Sequence, residues 1–370
     1  MRPLSRRAFL AAVGAGALLA ACGSAAAPAS SPAASQAPAS AKPAGSAAPA
    51  SAAAPASASA PASLTKVRVA YGTPSLLNIA VWNAFEKGFY KKYGLDVELT
   101  QIQGATITQA LIGHSVDIIG STASSTTLAN LQGGDTLLVG SNLNAVHNDI
   151  VVNPKKIDKP EDLKGKVAAI TKGGDFSETA IIIALNSLKM ARTDVQYVTG
   201  FAGDQEKLLA MQNNLADFAS IDFALRDQYT QMGMKRLFSL LDVNAHFIMS
   251  GIYTSRAYAG SHGAVVENYI KAMTEALYAF HHDRAGTLTV ASKYMKQTPE
   301  QITPGYELFE SHMNKVPEFT VDDVKQSLSV LETANAKAKT ANPDDFYTTE
   351  YLDNVRKSGF FKQIWGSEIA

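Results

Sequence analysis

The chain has 370 residues, enough for two domains with their own cores, and its 33 basic and 33 acidic side chains cancel to a formal charge of zero. That balance excludes the basic surface a phosphate backbone requires, so no nucleic-acid partner is expected. A lone cysteine, Cys22, excludes internal disulfides and leaves the remaining chain without a thiol nucleophile or thiolate metal ligand.

Ser5-Arg6-Arg7-Ala8-Phe9-Leu10 opens a weakly apolar run to Ala21, too short to span a bilayer and shaped like a secretory signal. The twin arginines followed by Phe-Leu resemble a twin-arginine export signal. Leu19-Ala20-Ala21-Cys22 resembles a bacterial lipobox. That resemblance implies removal of residues 1–21, a diacylated Cys22 as the new amino terminus, and a slightly acidic mature chain. Residues 22–63 are almost only Ala, Pro and Ser, with Lys42 the lone charge. Such a segment buries too little apolar surface to offset its ordering entropy. As a coil it reaches roughly 35 Å and reads as a tether between a lipid anchor and a globular body. An extracytoplasmic location at a membrane, on the periplasmic side or the cell surface, is expected.

Regular structure is expected from Lys66. Val67–Tyr71 alternates as a strand, Leu76–Lys87 has helical apolar spacing, Leu95–Leu99 is a second strand, Ile107–Gly113 a short helix and Val116–Gly120 a third strand. Ser121 to Thr127 opens another helix. A similar order recurs about one hundred residues later: strand 167–171, helix 176–190, strand 194–198, helix 204–213, strand 216–221. Asp96 and Asp194 sit at matching strand starts, as do Asp117 and Asp217. Two lobes built alike are implied, and the strand–helix alternation predicts parallel sheets with helices on both faces. Beyond Lys235 a strand-like return, 247–254, precedes helices over 264–282, 284–295, 320–339 and 348–357, punctuated by Pro299, Pro304, Pro317 and Pro343.

Glu86-Lys87-Gly88-Phe89-Tyr90-Lys91-Lys92-Tyr93-Gly94-Leu95-Asp96-Val97 resembles a signature of the nitrate/sulfonate/taurine-type periplasmic binding proteins, a group that includes binders of thiamine-pyrimidine precursors. Val116-Asp117-Ile118, Asp162 to Val167 and Ala216-Asp217 fall where that family has related segments. The resemblance covers about residues 66–240. It implies a type II periplasmic-binding-protein fold, with two α/β lobes of parallel-rich sheets flanked by helices and a helical carboxyl-terminal tail. The lobe bounds expected are 64–149 for the first part of lobe 1, 150–243 for lobe 2 and 244–370 for the completion of lobe 1, with crossings near 148–153 and 241–247. Such a protein is a monomer that binds a small molecule in its cleft and delivers it to the permease and ATPase subunits of an ABC importer, with no cofactor and no metal.

Ligands of open α/β sheets sit at the carboxyl ends of the strands. One such stretch is central: Val167 to Thr171 reads as a strand, Gly173-Gly174 as a turn, and Asp175 with Glu178 as a capping box opening a helix. Backbone N–H groups at that helix start suit a polar ligand group, and the glycines allow close approach. Thr73, Ser75, Ser121, Thr122, Gly174 and Ser177 are expected to supply polar contacts, and Trp82, Phe176, Phe201 and Phe223 aromatic ones. In the sulfonate binders the resemblance places small residues and Ser at this helix start, whereas this chain has Asp175. Its carboxylate, with Asp222 if that faces the cleft and unless Lys172 offsets it, disfavours an anion. A neutral or amine-bearing solute, such as a pyrimidine-type precursor, is therefore expected over a sulfonate or nitrate-type anion.

Two other classes use the same fold. A sensory module would share the cleft. A pyrimidine-precursor synthase would need a Cys-rich iron site that the sequence lacks, and no Gly-x-Ser-x-Gly, P-loop or metal-ligand spacing is present. The chain is therefore not expected to be an enzyme.

Overall fold

The computed structural model describes residues 63–369, apart from 105, 244, 245, 333 and 334. The readings made on the signal, on Cys22 and on the tether up to residue 62 lie outside the described residues.

The first sheet contains β1 (Thr65–Tyr71), β2 (Leu95–Gln101), β3 (Ile118–Ser121) and β4 (Thr136–Ser141). The second contains β5 (Asn148–Val152), β6 (Val167–Ala169), β7 (Gln196–Val198), β8 (Phe218–Asp222) and β9 (Lys235–Ser239). The chain then returns to the first sheet as β10 (Gly251–Ser255). The strand orders are β2-β1-β3-β10-β4 and β7-β6-β8-β5-β9. They are the same order, because β5 takes in the second sheet the place of β10 in the first. The mixed α/β fold with two sheets flanked by helices is thus as the sequence implies.

The sheets are not wholly parallel. β1 pairs in parallel with β2 and β3, and β6 with β7 and β8, but β10 runs against β3 and β4, and β5 against β8 and β9. Each antiparallel strand is the one the chain makes on entering from the other sheet. Residues 148–152, expected as a crossing, are therefore a strand, and the first crossing is 142–147. The second spans the gap between β9 and β10. The two crossings are hydrogen-bonded to each other, Phe247 N–H to Asn144 O at 3.0 Å and Met249 N–H to Leu143 O at 2.9 Å.

Asp117 and Asp217 explain the matching strand starts. Asp117 Oδ2 accepts the Arg68 N–H at 2.8 Å, and Asp217 Oδ2 accepts the Val167 N–H at 2.9 Å. In return, the Asp117 and Asp217 N–H groups donate to Arg68 O and Val167 O, each at 2.8 Å. Each acid thus locks the register of two neighbouring parallel strands, β1 with β3 and β6 with β8. Lys156 adds an ion pair to Asp217 at 2.6 Å. Burial raises the Asp217 pKa, but Lys156 and the Val167 N–H outweigh it, so the net direction is downward. A depressed carboxylate contributes stability above its unfolded pKa of about 3.9 and loses it as pH falls through the lower folded value. Asp217→Asn is therefore expected to cost about 1.5–3 kcal/mol in urea unfolding at pH 7. The gap from wild type should close in acid below the folded pKa; a gap constant with pH would show that charge is not its source.

The helix Phe176–Ser187 is buried without a break from Ser177 to Leu185, so it lies inside the molecule rather than on a face. The helix Gly263–His282 packs on the first lobe, where Asn83 Nδ2 donates to Ala276 O at 3.4 Å and Tyr90 stacks on Tyr269 with centroids 5.4 Å apart. A helix over Pro299–Glu310 was not read from the sequence because Pro304 falls inside it. The helix expected over 320–339 ends at Ser329. No helix among the described residues is long and apolar enough to cross a membrane.

Candidate functional site

The carboxyl ends of β1, β3 and β6 open on one cavity of about 1080 Å³. Lobe 1 contributes Thr73, Ser75, Ser121, Thr122, Ser124 and Ser125 to its wall. Lobe 2 contributes Thr171 to Glu178, Arg192, Phe201, Asp204 and Lys207. Asn148 and Ser250 line it where the chain passes between the sheets. Of the expected contacts, Gly174, Asp175, Phe176 and Ser177 are thus at the cavity together with Thr73, Ser75, Ser121, Thr122 and Phe201.

Trp82, Asp222 and Phe223 do not line it. Trp82 is fully buried, stacked on Tyr294 at 4.6 Å. Asp222 turns from the strand end to cap the next turn through the Ala224 N–H, and its other oxygen lies 3.3 Å from His147 Nε2. Burial raises its pKa, but the His147 contact and the Ala224 N–H draw it below the usual carboxylate value. Phe223 packs on Phe309, with centroids 5.6 Å apart.

The two lobes present different helix starts. In lobe 2, Asp175 caps its helix as the spacing predicts, accepting the Ser177 N–H at 2.9 Å and the Glu178 N–H at 3.3 Å. It also accepts the hydroxyls of Ser177, at 2.6 Å, and Thr171. Glu178 is 2% exposed. It takes the Gly174 N–H at 2.6 Å and, on its other oxygen, the Arg192 guanidinium, whose Nε donates at 2.7 Å. Arg192 in turn lies 4.6 Å from the Tyr197 ring, and burial pushes the Tyr197 phenol up to about 12. Three of the backbone donors at this helix start, on Gly174, Ser177 and Glu178, are therefore taken by the chain's own carboxylates. Four donors of the chain surround the Asp175 carboxylate and fill most of its acceptor sites, which leaves it less to offer a ligand amine.

In lobe 1 the nine-residue helix Ala123–Leu131 begins at Thr122, which gives no side-chain cap. The Ala123 N–H goes to Ile248 O at 2.9 Å. The rest of the first turn is ringed by hydroxyls, with Ser121 and Ser125 paired at 3.1 Å and Thr122 and Ser124 at 3.1 Å. An uncapped helix start with its positive dipole end toward the cavity suits an acceptor or an anion. Phe176, 6.1 Å from Phe247 between ring centroids, and Phe201 give lobe 2 apolar faces.

Sequence reasoning missed Arg192, Asn148 and Lys207. Lys207 stands three residues into a helix beside the core residues Leu208 and Met211, so its position on the helix could have marked it as inward-facing. Arg192 and Asn148 carry no comparable signal.

The family model of NMT1/THI5-like proteins matches residues 78–285, more than half of the chain. The chain belongs to that family. Solved structures agree in fold. The periplasmic aliphatic sulphonate binding protein SsuA from Escherichia coli superposes with a TM-score of 0.60 at 20% identity, covering 74% of this chain and 88% of the other. The alkanesulfonate-binding protein SsuA from Xanthomonas axonopodis pv. citri, bound to MOPS, gives 0.59 at 18% identity, covering 76% and 96%. The periplasmic nitrate-binding protein NrtA from Synechocystis PCC 6803 gives 0.61 at 14% identity, covering 80% and 89%. No curated protein sequence matches the chain.

Proposed function

We propose that this NMT1/THI5-like protein is an extracytoplasmic solute-binding lipoprotein. It captures a small organic solute with an acceptor-rich or anionic head in the cavity between its lobes and delivers it to the permease and ATPase of an ABC importer. The observation that carries this reading is the uncapped, hydroxyl-ringed start of the helix Ala123–Leu131 facing a cavity that both lobes line. Sulfonate- and nitrate-binding proteins of the same fold support it. So do the hydrogen bonds that Asp175 receives from the chain and the pairing of Glu178 with Arg192, which weaken the ground for preferring an amine. The faces of Phe176 and Phe201 favour a flat or apolar remainder on the solute, so a pyrimidine with acceptor oxygens fits the same description. Lipid attachment at Cys22 rests on the lipobox resemblance, and a mass spectrum of the mature amino terminus would confirm or refute it.

The test is a thermal-shift panel of sulfonates, nitrate, pyrimidines, amines and polyamines. A ligand that binds only the folded form raises the melting temperature. Acceptor-headed compounds are expected to stabilise, and amines are not. Asp175→Asn should leave this ranking in place, because the side-chain oxygens are engaged by donors of the chain. Stabilisation by amines alone, abolished in Asp175→Asn, would reverse the assignment.

A further inference from the structure

We propose that Asn148 and Lys207 form a second contact point in the cavity, one that takes a hydrogen-bond acceptor, so that the solute carries acceptors at two separated places. This deepens the solute-binding reading above and rests on it.

Lys207 has a side chain only 3% exposed, yet it lines the cavity. Its ammonium donates to Ser220 O at 2.6 Å and pairs with Asp204 Oδ1 at 2.8 Å. An ammonium has three donors, so one remains. Asp204 is held in place, its other oxygen taking the Asp222 N–H at 2.7 Å, and the Lys207 ammonium offsets its charge. Asn148 is the first residue of β5, lies opposite Asp222 in the sheet, and is 6% exposed. The same strand end thus brings Asn148 beside the corner where Asp204 and Lys207 meet. The Asn148 Oδ1 is buried and has no hydrogen-bond partner among the described residues. With its oxygen turned inward, the amide has its Nδ2, a donor, to offer the cavity that Asn148 lines.

The test uses the mature protein and three related probes: ethanesulfonate, with one acceptor head; sulfoacetate, with a second acceptor; and taurine, with an amine in its place. Sulfoacetate is expected to bind about tenfold or more tighter than ethanesulfonate by calorimetry, and taurine more weakly than sulfoacetate. Asn148→Leu and Lys207→Met should each collapse the sulfoacetate-to-ethanesulfonate ratio toward one. A ratio that persists in both variants, or taurine as the tightest probe, overturns the proposal while leaving solute binding intact. If no probe binds wild type, the head-group reading falls, and the ligand-free protein decides the present one. Asn148→Leu should then raise its melting temperature by about 2 °C, because an unpaired buried amide has been removed. A fall would show that the amide is already satisfied and would overturn the proposal.

Discussion

Replacing Asp149 by Ala is expected to lower the unfolding free energy by about 3–5 kcal/mol, the largest single effect on lobe 2. Asp149 is wholly buried on β5. Arg226 grips it with both arms, Nε to Oδ2 at 2.6 Å and Nη2 to Oδ1 at 2.8 Å, and the Tyr229 hydroxyl donates at 3.0 Å. Burial, and then the neighbouring carboxylate, raise the Tyr229 phenol far above its usual value, so it stays a donor at any working pH. Removing the acid strands a guanidinium and a phenol at once. It also detaches the helix Arg226–Gln231 from the strand that follows the first crossing. Arg226→Lys should lie between, since an ammonium cannot reproduce the two-pronged contact. Urea unfolding measures both; a loss below about 1 kcal/mol for Asp149→Ala would mean that water replaces the pair at no great cost.

Trp82→Ala is expected to cost about 3–5 kcal/mol without removing the solute response. Trp82 stacks on Tyr294 at an interplanar angle of 6° and meets Tyr71 edge-on at 5.6 Å. It therefore joins the helix Ile79–Glu86 to the tail helix Arg284–Met295. Its indole N–H has no partner among the described residues, so Trp82→Phe should lose packing alone, about 1 kcal/mol, and should keep the full thermal-shift ranking. A Trp82→Phe protein that is stable but no longer responds to any solute would return this residue to the binding site.

The parts of the fold that were legible are those with local signals. β1 announces itself by alternation, and the third strands of the two sheets by the acids that precede them. β4 and β9 were not read. All six residues of β4 are buried, and such a strand has no alternation to detect. The sense of β5 and β10 was hidden as well, because it depends on where the chain changes sheets and not on local spacing. At the site, the loops were legible because they follow strand ends. The electrostatics were not, since the sequence shows that Asp175 is an acid but not that four donors surround it. Trp82 misled for a related reason: an aromatic residue on an apolar helix face looks the same whether it meets a solute or Tyr294.

The straps that join the halves are laced to each other by four backbone hydrogen bonds among the described residues. Straps tied in this way are expected to move together, so that closure of the halves on a solute would follow one hinge axis and bring the same walls face to face each time.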